Sequence, residues 1–377
     1  MSKTDTTSYM DALEKVAVDV IRPAAVEIDK NGAFPRAAMD ALSKAGLLGL
    51  VSAREVGGLG GGMRDASTVI KRVAQECAST AMVLAMHYNA TAVIEAHGSM
   101  DVRKAIAVGK HITTLAFSEF GSRSHFWSPV STAVGNNGTI QLDAAKSWVT
   151  SAGEADSYVW SSKPLEAEEA STIWLVSSNA DGLTVAGAFD GLGLRGNASS
   201  PVKAEKVSVE HAAMLGPDGG GFDIMMSVVL PYFHVTIAAA SIGIMEAATQ
   251  KAAEHVSGIK LEHLGSALRD LPTIRAYIAR MRIKTDLINA LMLDTLDAAE
   301  SGREDTMLRI LEIKAAAAEA ATEVTDLAMR VCGGAAFRKD MGLERNFRDA
   351  RAATVMAPTT DVLYDFIGKA VCGMPLF

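Results

Sequence analysis

The residues best suited to chemistry in this chain lie in two short segments, 117–125 (FSEFGSRSH) and 146–156 (KSWVTSAGEAD). The first segment is dense in hydrogen-bond donors, since Ser118, Ser122 and Ser124 stand around a glycine that frees neighbouring backbone amides. Hydroxyls and free amides together bind anions, so this loop suits a pyrophosphate. The plain alternative is a polar surface loop without a ligand.

The second segment pairs an aromatic ring with a hydroxyl. Trp148 and Thr150 are two residues apart on a predicted strand, and side chains at that spacing face the same side of a sheet. An aromatic plane beside a hydrogen-bonding group suits a flat heterocyclic ligand. Here too a plain alternative exists, a half-buried strand that binds nothing.

Other chemical motifs fail on their context. Residues 191–196 read GLGLRG and match the dinucleotide-binding pattern GxGxxG, but that pattern needs a helix to begin inside it. The residues that follow, 197–201, are NASSP, and a strand-like stretch comes next, so we expect a glycine-rich turn in a β domain. No Glu precedes a His by three residues, no HxxxH spacing occurs and GxSxG is absent, so neither a metal site nor a serine hydrolase is predicted.

Composition bounds the class of protein. Of the 377 residues, 49% are hydrophobic and 21% charged, as in a globular protein with a large core. The net charge of −8 argues against nucleic acid or an anionic membrane surface as a partner. The polar, acidic start is not a signal peptide, and no apolar run reaches the length of a membrane span. Three cysteines without CxxC spacing indicate a reducing compartment, so we predict a cytoplasmic protein without disulfide or zinc.

Three regions must position the two segments. Residues 1–112 read as Ala-, Leu- and Met-rich helices broken at glycine clusters. Residues 113–215 shorten to strand-length pieces separated by turn residues, which predicts a small β domain. Residues 216–377 return to helical spacing and predict four long helices in a bundle, with a kink or break at Pro231 and one helix beginning at Ser266.

Five motifs, in order along essentially the whole chain, resemble the acyl-CoA dehydrogenase superfamily. They match its flavin loop (T/S-E-P-x-x-G-S-D), flavin strand (K-x-W-I-T-N/S-A), G-M/L-G-x-R-G/S turn, GG segment and C-terminal R-D-A signature, and they occupy 118–125, 146–152, 191–197, 331–337 and 343–361. The resemblance implies an α-helical N-terminal domain, a middle β-barrel or sheet domain and a C-terminal four-helix bundle. It also implies FAD between the β domain and the bundle, and a homotetramer or homodimer.

By position, the resemblance assigns the cofactor contacts. The isoalloxazine ring is expected at Ser118, Trp148 and Thr150, and the pyrophosphate at Ser124. Four further contacts, near the adenosine half of FAD, are expected at Gly333, Gly334, Thr359 and Asp361. A fifth is assigned to Arg330, which stands in place of the family's Gln. The flavin loop departs from the pattern at Arg123 and His125, where Gly and Asp are usual. Residues 260–265 are a poor match to the segment that reaches a neighbouring subunit's FAD.

The catalytic base of the family is missing here. In many members a Glu in the C-terminal signature removes the substrate's α-proton, but that position is Ala357, followed by Pro358 instead of Gly. In a subset the Glu lies in an L-D-x-E-R segment, which here has Phe233 at the Glu position and His234 at the Arg position. A base must reach the carbon that it deprotonates, so both known solutions are absent from this sequence.

Three functions remain open. The leading one is an FAD-dependent monooxygenase or oxidase acting on a CoA thioester or an aromatic acyl substrate, because reduced flavin can react with O₂ without an α-proton base. Candidate proton donors are His87 and His234, and candidate substrate contacts are Tyr88, Asn89, Arg123, His125 and Phe233. The second is an acyl-CoA dehydrogenase with a relocated base, such as His234, that passes electrons to an electron-transfer flavoprotein. The third is a flavin-binding scaffold without turnover.

Overall fold

The computed structural model describes residues 3–122 and 125–376. Arg123 and Ser124, two of the residues assigned to ligands, lie outside these ranges. The chain begins with helices, in order α1 (Lys3–Val16), a π-helical turn (Ala17–Ile21), α2 (Arg22–Asn31), α3 (Arg36–Lys44), a 3-10 turn (Arg54–Val56), α4 (Met63–Glu76), α5 (Ala78–His97) and α6 (Met100–Ala107). Most of α5 is buried on every side, which is expected of a helix that is apolar around its whole circumference.

Strands follow, namely β1 (Thr113–Ala116), β2 (Thr132–Asn136), β3 (Thr139–Val149), β4 (Ser157–Ser162), β5 (Thr172–Ser177), β6 (Leu183–Val185) and β7 (Ser200–Val209). One sheet has the order β1-β4-β5, with β1 parallel to β4, and the other is antiparallel with the order β2-β3-β7-β6. Tyr158, Trp160 and Trp174 fill the core shared by the two sheets. The sequence did not predict β2, a short strand that is mostly exposed.

The C-terminal region is helical, with one small hairpin. Its elements are α7 (Gly221–Ile224), a π-helical turn (Met225–Val229), α8 (Leu230–Gly258), β8 (Lys260–Leu261), β9 (Ser266–Ala267), α9 (Pro272–Ser301), α10 (Thr306–Cys332), α11 (Leu343–Ala350), α12 (Ala352–Val355) and α13 (Thr360–Val371). Helices α8, α9 and α10 pack on one another, α13 packs on α10, and α4 reaches across to α8. The predicted arrangement of helices, β domain and helix bundle is confirmed, although the bundle has three long helices and a shorter fourth, α13.

Two helix boundaries differ from the prediction. Pro231 does not split the helical stretch, which runs without a break from Gly221 to Gly258. The π-helical turn Met225–Val229 ends two residues before this proline, so the helix is locally irregular there instead of broken. The predicted helix start at Ser266 is wrong, since Ser266 pairs within the β8–β9 hairpin and α9 begins with Pro272.

One helical stretch, Gly221–Gly258, is long and apolar enough to cross a membrane by length and composition. The prediction that no apolar run reaches that length was therefore wrong. Within its most apolar window, 78% of the residues are buried inside the fold. A core helix that is enclosed by other helices has the same composition, so this stretch is weak evidence for a membrane span.

The GLGLRG segment packs between two helices from opposite ends of the chain. A Cβ placed on Gly193 would lie 2.5 Å from the carbonyl oxygen of Arg348 in α11. A Cβ on Gly196 would lie 2.2 Å from Cγ2 of Ile28 in α2. Both glycines are required by these close approaches, and strand β7 follows them instead of a helix. The segment is a turn of the β domain, as its context predicted.

Hydrogen bonds close the same junction. Arg348 donates to the carboxylate of Asp29 on α2 at 2.9 and 2.6 Å, and to the carbonyl oxygen of Leu192 at 2.9 Å. The backbone N–H of Leu194 donates to the carboxylate of Asp349 at 2.6 Å. The N-terminal helices, the β domain and the segment before Ala357 are thus tied together at one point.

Candidate functional site

The two segments rich in chemical groups lie side by side. Glu119 forms an isolated antiparallel bridge with Lys146, and the N–H of Ser147 donates to the carbonyl oxygen of Ser118 at 2.8 Å. Half-buried Ser118 is therefore fixed against the strand that leads to Trp148. The structure brings the predicted flavin loop and flavin strand together as one surface.

A buried ion pair holds that surface in place. Nζ of Lys146 donates to Oε1 of Glu119 at 2.5 Å and to the carbonyl oxygen of Ser161 at 2.6 Å. Oε2 of Glu119 accepts from the backbone N–H groups of Val130 and Ser131, at 2.6 and 3.0 Å. Burial works to raise the pKa of Glu119, but the charge of Lys146 and these donors outweigh it and hold that pKa below its usual value. Sequence analysis placed Glu119 and Lys146 in two separate motifs and did not predict that they pair.

Trp148 departs from regular strand geometry. The register of β3 against β7 shifts between Lys146 and Val149, and Trp148 has φ +56°. A bulky residue at positive φ is strained, and such strain tends to occur at ligand sites. The Trp148 side chain is 70% exposed, whereas Thr150 is 7% exposed and lies beyond the strand end. The prediction that strand alternation gives the two side chains one face is therefore wrong, because the alternation is interrupted between them.

Two buried hydroxyls of these segments lack partners. Oγ of Ser122, in the flavin loop, and Oγ of Ser151, two residues beyond the end of β3, have no hydrogen-bond partner within the described residues. Buried polar atoms are almost always satisfied, so these hydroxyls fit a bound polar ligand. His125 is exposed, and its ring lies edge-on to Trp127 with centroids 5.2 Å apart. It stands at the open end of the same loop.

The residues assigned to the other half of the cofactor lie at helix ends. Gly333 and Gly334 follow α10, are exposed, and Gly333 has φ +55°. Thr359 and Asp361 lie at the N-terminus of α13, which packs on α10. Thr359 makes no side-chain capping bond there. This end of the helix therefore keeps backbone donors available for a polar ligand.

Arg330 is engaged within the protein. Its guanidinium carbon lies 5.1 Å from the centroid of the Tyr277 ring on α9, and it donates to the Tyr277 hydroxyl at 3.2 Å. The residue is exposed, so the stacked guanidinium still borders the end of α10. Its assignment to FAD remains a prediction.

His87, Tyr88 and Asn89 are fully buried in α5. Nε2 of His87 donates to the carbonyl oxygen of Leu48 at 3.0 Å, and Nδ1 accepts from the N–H of Thr113 at 3.2 Å, which assigns the tautomer. Burial lowers the pKa of His87 to about 4. The Tyr88 hydroxyl and the Asn89 amide also donate to backbone carbonyls within the protein. These contacts give His87 a structural role, and we leave all three residues out of the proposed reaction.

Position 357, where relatives carry the base, is flanked by two carbonyl oxygens that a buried lysine binds. Nζ of Lys314, on α10, donates to the carbonyl oxygens of Met356 at 2.9 Å and Pro358 at 2.6 Å, the residues on either side of Ala357. Lys314 is fully buried, and among the described residues no carboxylate forms an ion pair with it. Burial lowers its pKa to about 7. In the sequence, Lys314 precedes an alanine run and reads as an ordinary surface residue of a helix, so this role was missed.

His234 lies on α8 and is also fully buried. Its Nδ1 donates to the carbonyl oxygen of Ile310, one helical turn before Lys314, at 2.8 Å. Its Nε2 has no partner in the part of the chain that the structure describes. Burial and the charge of Lys314 lower the pKa of His234 to about 3, so its imidazole is neutral. Phe233 is half-buried, with its ring centroid 6.1 Å from that of His234.

A narrow cavity of about 10 Å³ lies between α5, α8 and the residues before Ala357. Met356 and Asp349 both line it, together with apolar side chains. Burial raises the pKa of Asp349 to about 6, although the N–H of Leu194 bonds its carboxylate. Asp349 is therefore a titratable acid in the wall of this cavity, and sequence analysis did not single it out. No group of three or more metal-ligating side chains occurs within residues 3–122 and 125–376.

The fold, the flavin loop with its strand, and the helix ends assigned to the adenosine half of the cofactor define a flavin-dependent oxidoreductase. Family descriptions match three consecutive blocks of the chain, which are the acyl-CoA dehydrogenase N-terminal domain (residues 4–108), middle domain (114–207) and C-terminal domain (219–372). The chain belongs to the acyl-CoA dehydrogenase superfamily, whose cofactor is FAD. The predicted family, fold and cofactor are confirmed.

Individual relatives agree with this. The chain is 26% identical over 359 residues to acryloyl-CoA reductase (NADH) of Anaerotignum propionicum, covering 93% of this chain and 90% of that protein. Butyryl-CoA dehydrogenase of Megasphaera elsdenii has a TM-score of 0.91 at 20% identity, covering 99% of each chain. The prolyl acyl carrier protein oxidase AnaB has a TM-score of 0.88 at 18% identity, covering 98% of this chain and 99% of that chain.

Proposed function

We propose that this protein is an FAD-dependent monooxygenase or oxidase that acts on an acyl thioester and uses O₂ as its electron acceptor. Ala357 carries the proposal, because its methyl group cannot accept a proton where relatives place a carboxylate. Its basic neighbours are poor substitutes: Lys314 is committed to two carbonyl oxygens, and the pKa of His234 is about 3. Dehydrogenation needs a base within reach of the α-carbon, whereas reaction of reduced flavin with O₂ does not.

The chain's own residues would bind FAD, orient it and exclude water. When bound, FAD would supply two-electron chemistry, in which the electron pair comes from an external reductant such as a reduced nicotinamide or a reductase in a monooxygenase, or from the substrate in an oxidase, and goes to O₂ or to an electron-transfer protein. Ser118, Trp148 and Thr150 would hold the ring, and Gly333, Gly334, Thr359 and Asp361 the adenosine half. Behind Ala357, the full burial of Lys314 and His234 keeps the wall of the site free of water. A water-poor site protects reactive species from side reactions.

Relatives differ in the reactions that their names state. AnaB is described as an oxidase of a prolyl acyl carrier protein, whereas the other two relatives named above are described by CoA thioester reactions. We extend an acyl thioester substrate to this chain on that basis, and an electron-transfer flavoprotein is the alternative acceptor. Neither known base position carries a carboxylate, which favours O₂ as the electron acceptor.

The test separates the two half-reactions. FAD-loaded protein is mixed with a panel of saturated acyl-CoAs under argon, and its visible spectrum is followed. A monooxygenase should show no bleaching with the acyl-CoA alone, because its electrons come from an external reductant, whereas an oxidase should bleach and then be reoxidised rapidly by O₂. Protein reduced with dithionite is then mixed with ¹⁸O₂ and an acyl-CoA, and we expect fast reoxidation, accelerated by the substrate. Anaerobic bleaching with formation of an enoyl-CoA, together with slow reoxidation by O₂, would overturn the proposal.

A second candidate is dehydrogenation with a relocated base. Asp349 supports it, because its carboxyl lines the small cavity beside Met356 and its pKa of about 6 suits a proton acceptor. This candidate requires the cavity to widen on substrate binding, since about 10 Å³ holds no more than one water molecule. His234, proposed from the sequence for this role, is a weaker base at a pKa of about 3. Anaerobic bleaching that is lost in Asp349→Asn but retained in His234→Gln would establish this candidate.

We also propose a homotetramer, with a homodimer as the alternative, located in the cytoplasm. Helix α9 exposes the apolar side chains of Ile283, Leu287 and Leu293, at 59%, 63% and 45%. Apolar side chains that recur on one helix and stay exposed support an interface with a second copy. The cysteines are unpaired, which supports a reducing compartment. Light scattering after gel filtration measures the mass, and Leu287→Glu should reduce the number of subunits.

A further inference from the structure

Lys314 holds the turn at the vacant base position from both sides. Its ammonium group donates to the carbonyl oxygen before Ala357 and to the one after it, at 2.9 and 2.6 Å. Two charge-assisted bonds from one nitrogen fix the distance between these carbonyls and α10. Because the two acceptors flank a single residue, the position of residue 357 in the site follows from the position of Nζ.

The surroundings of Lys314 make a purely stabilising role a poor explanation. Burial of an ammonium group without a carboxylate is unfavourable, and an apolar side chain of similar size would avoid that penalty. The neighbours on α10 are buried and apolar, among them Ile310, Ile313, Ala317 and Ala318. A methionine would fit that environment without a charge. The lysine therefore contributes something that packing alone does not, which is a pair of directed hydrogen bonds to the turn.

The turn itself connects two functional regions. On its N-terminal side, α11 carries Asp349, which lines the cavity beside Met356 and binds the β domain through Leu194. On its C-terminal side, Thr359 is the N-cap residue of α13 and is assigned to FAD. Displacement of the turn would move the cavity wall and the start of α13 together.

We propose that Lys314 is a positioning residue, which fixes the turn of residues 356–358 so that residue 357 and the adjoining cavity wall face the substrate at a set distance. This inference rests on the proposed function for its activity readout only. The hydrogen bonds that carry it are independent of whether O₂ or another acceptor takes the electrons.

The experiment compares three variants of the FAD-loaded protein. Lys314→Met removes the donors, and Lys314→Arg keeps them on a slightly longer side chain. Lys251→Met is the matched control, because Lys251 also donates to a backbone carbonyl, that of Gly342 at 3.1 Å, and burial lowers its pKa to about 8. Lys251 ties α8 to the start of α11 and does not contact the turn.

Hydrogen–deuterium exchange gives the first readout. In Lys314→Met we expect peptides that cover residues 352–363 to exchange faster by about tenfold, because the turn opens locally. Lys314→Arg and Lys251→Met should leave these peptides close to wild type. Faster exchange in all peptides alike, or unchanged exchange at 352–363, would overturn the proposal. If Lys314→Met does not fold, Lys314→Gln gives the same comparison, since a shorter neutral side chain loses one of the two bonds.

Turnover gives the second readout, which a stabilising role would not change. In Lys314→Met, kcat should fall on the order of tenfold to a hundredfold with little change in KM, as expected when reacting groups are misplaced. Lys314→Arg should recover most of the activity, while Lys251→Met should retain it despite a similar loss in melting temperature. Equal activity in Lys314→Met and Lys251→Met would contradict positioning. If the anaerobic test above shows a dehydrogenase, the proposed function fails while the exchange result still decides this inference.

Discussion

Among the residues whose burial the structure describes, two lysines are completely buried, and their surroundings differ. Lys146 lies in the β domain against a carboxylate, Glu119, at 2.5 Å, with Ser161 as a further acceptor. Lys314 lies in the helix bundle with two backbone carbonyls and no carboxylate among its described partners. Burial lowers the pKa of Lys146 to about 8 and that of Lys314 to about 7. The charge of Lys146 is neutralised by a carboxylate within the fold. Lys314 instead binds the backbone on both sides of residue 357, the position at which relatives carry a glutamate.

The different surroundings of the two lysines distinguish a region that holds the cofactor from a region where the reaction is proposed to occur. A paired and hydrogen-bonded charge fixes the flavin loop against the flavin strand, so the buried lysine of that region has its counter-charge within the chain. The region around Ala357 is not completed in this way: among the described residues, Lys314 lacks a counter-charge and Nε2 of His234 lacks a donor. Unbalanced buried polar groups are unfavourable for folding and are concentrated where function requires them. We therefore look for specialised chemistry beside Lys314 and for cofactor binding beside Lys146.

The largest effect is expected from breaking the paired lysine. Lys146→Met leaves Glu119 buried without its partner, which typically costs about 3–5 kcal/mol. We expect a loss of that size in the free energy of unfolding in urea, accompanied by weaker FAD binding. The double variant Lys146→Met with Glu119→Gln serves as the control and should recover part of the loss. A single variant as stable as wild type would show that the pair contributes nothing.

A smaller loss is expected for the unpaired lysine. Lys314→Met leaves two carbonyl oxygens without donors, at about 1–3 kcal/mol each, but it also removes a buried charge that no described carboxylate pairs with, which offsets part of that loss. The free energy of unfolding should therefore fall by less than in Lys146→Met. The same urea titration measures both variants. If Lys314→Met were the more damaging change, the contrast drawn between the two lysines would be wrong.

The pH dependence of stability should distinguish the lysines further. The folded pKa of Lys314 is about 7, below the value near 10.4 of an unfolded lysine, so between these limits the unfolded chain binds more protons. Stability then rises with pH from about 7, on the order of 1 kcal/mol per unit. The difference in unfolding free energy between wild type and Lys314→Met should be smallest at pH 7 and grow towards pH 9.5. A difference that is flat over this range would show that Lys314 keeps its proton in the folded protein.

Much of the fold follows from the sequence, because periodicity and turn residues report local structure. The change from helices to strands and back to helices along the chain is visible in the spacing of apolar residues. The pairing of Glu119 with Lys146 was not, since those residues are 27 positions apart and meet only through a bridge between a loop and a strand. The bulge at Trp148 was also invisible, because alternation predicts a regular strand and the register shift depends on β7.

The candidate site shows the same limit more sharply. The absence of a base at Ala357 could be predicted, because it depends only on the residue type at that position. The burial of Lys314 could not, because a lysine within a helix is solvent-exposed in most proteins, and this one is buried by the helices that pack on α10 and by the turn before α13. For His87, sequence could not show that both ring nitrogens are bound by the backbone of Leu48 and Thr113. Tertiary contacts decide which histidine can exchange a proton.

The smallest change in stability is expected from giving Lys314 a carboxylate. Ala357→Glu places an acid at the position that Lys314 already holds from both sides, so this region would come to resemble the pair of Lys146 and Glu119. The new charge loses hydration but gains a nearby cation, and we expect these terms to offset within about 1 kcal/mol. The chemistry should change more than the stability does. A carboxylate in the place where relatives carry their base should exchange the α-proton of an acyl-CoA with D₂O, which mass spectrometry detects. Ala357→Gln is the control, since it has the same size and no charge. Exchange in Ala357→Glu but not in Ala357→Gln, and its loss when Lys314→Met is added, would show that the turn still presents residue 357 to the substrate; exchange that is as fast in wild type would show that another group already acts as the base.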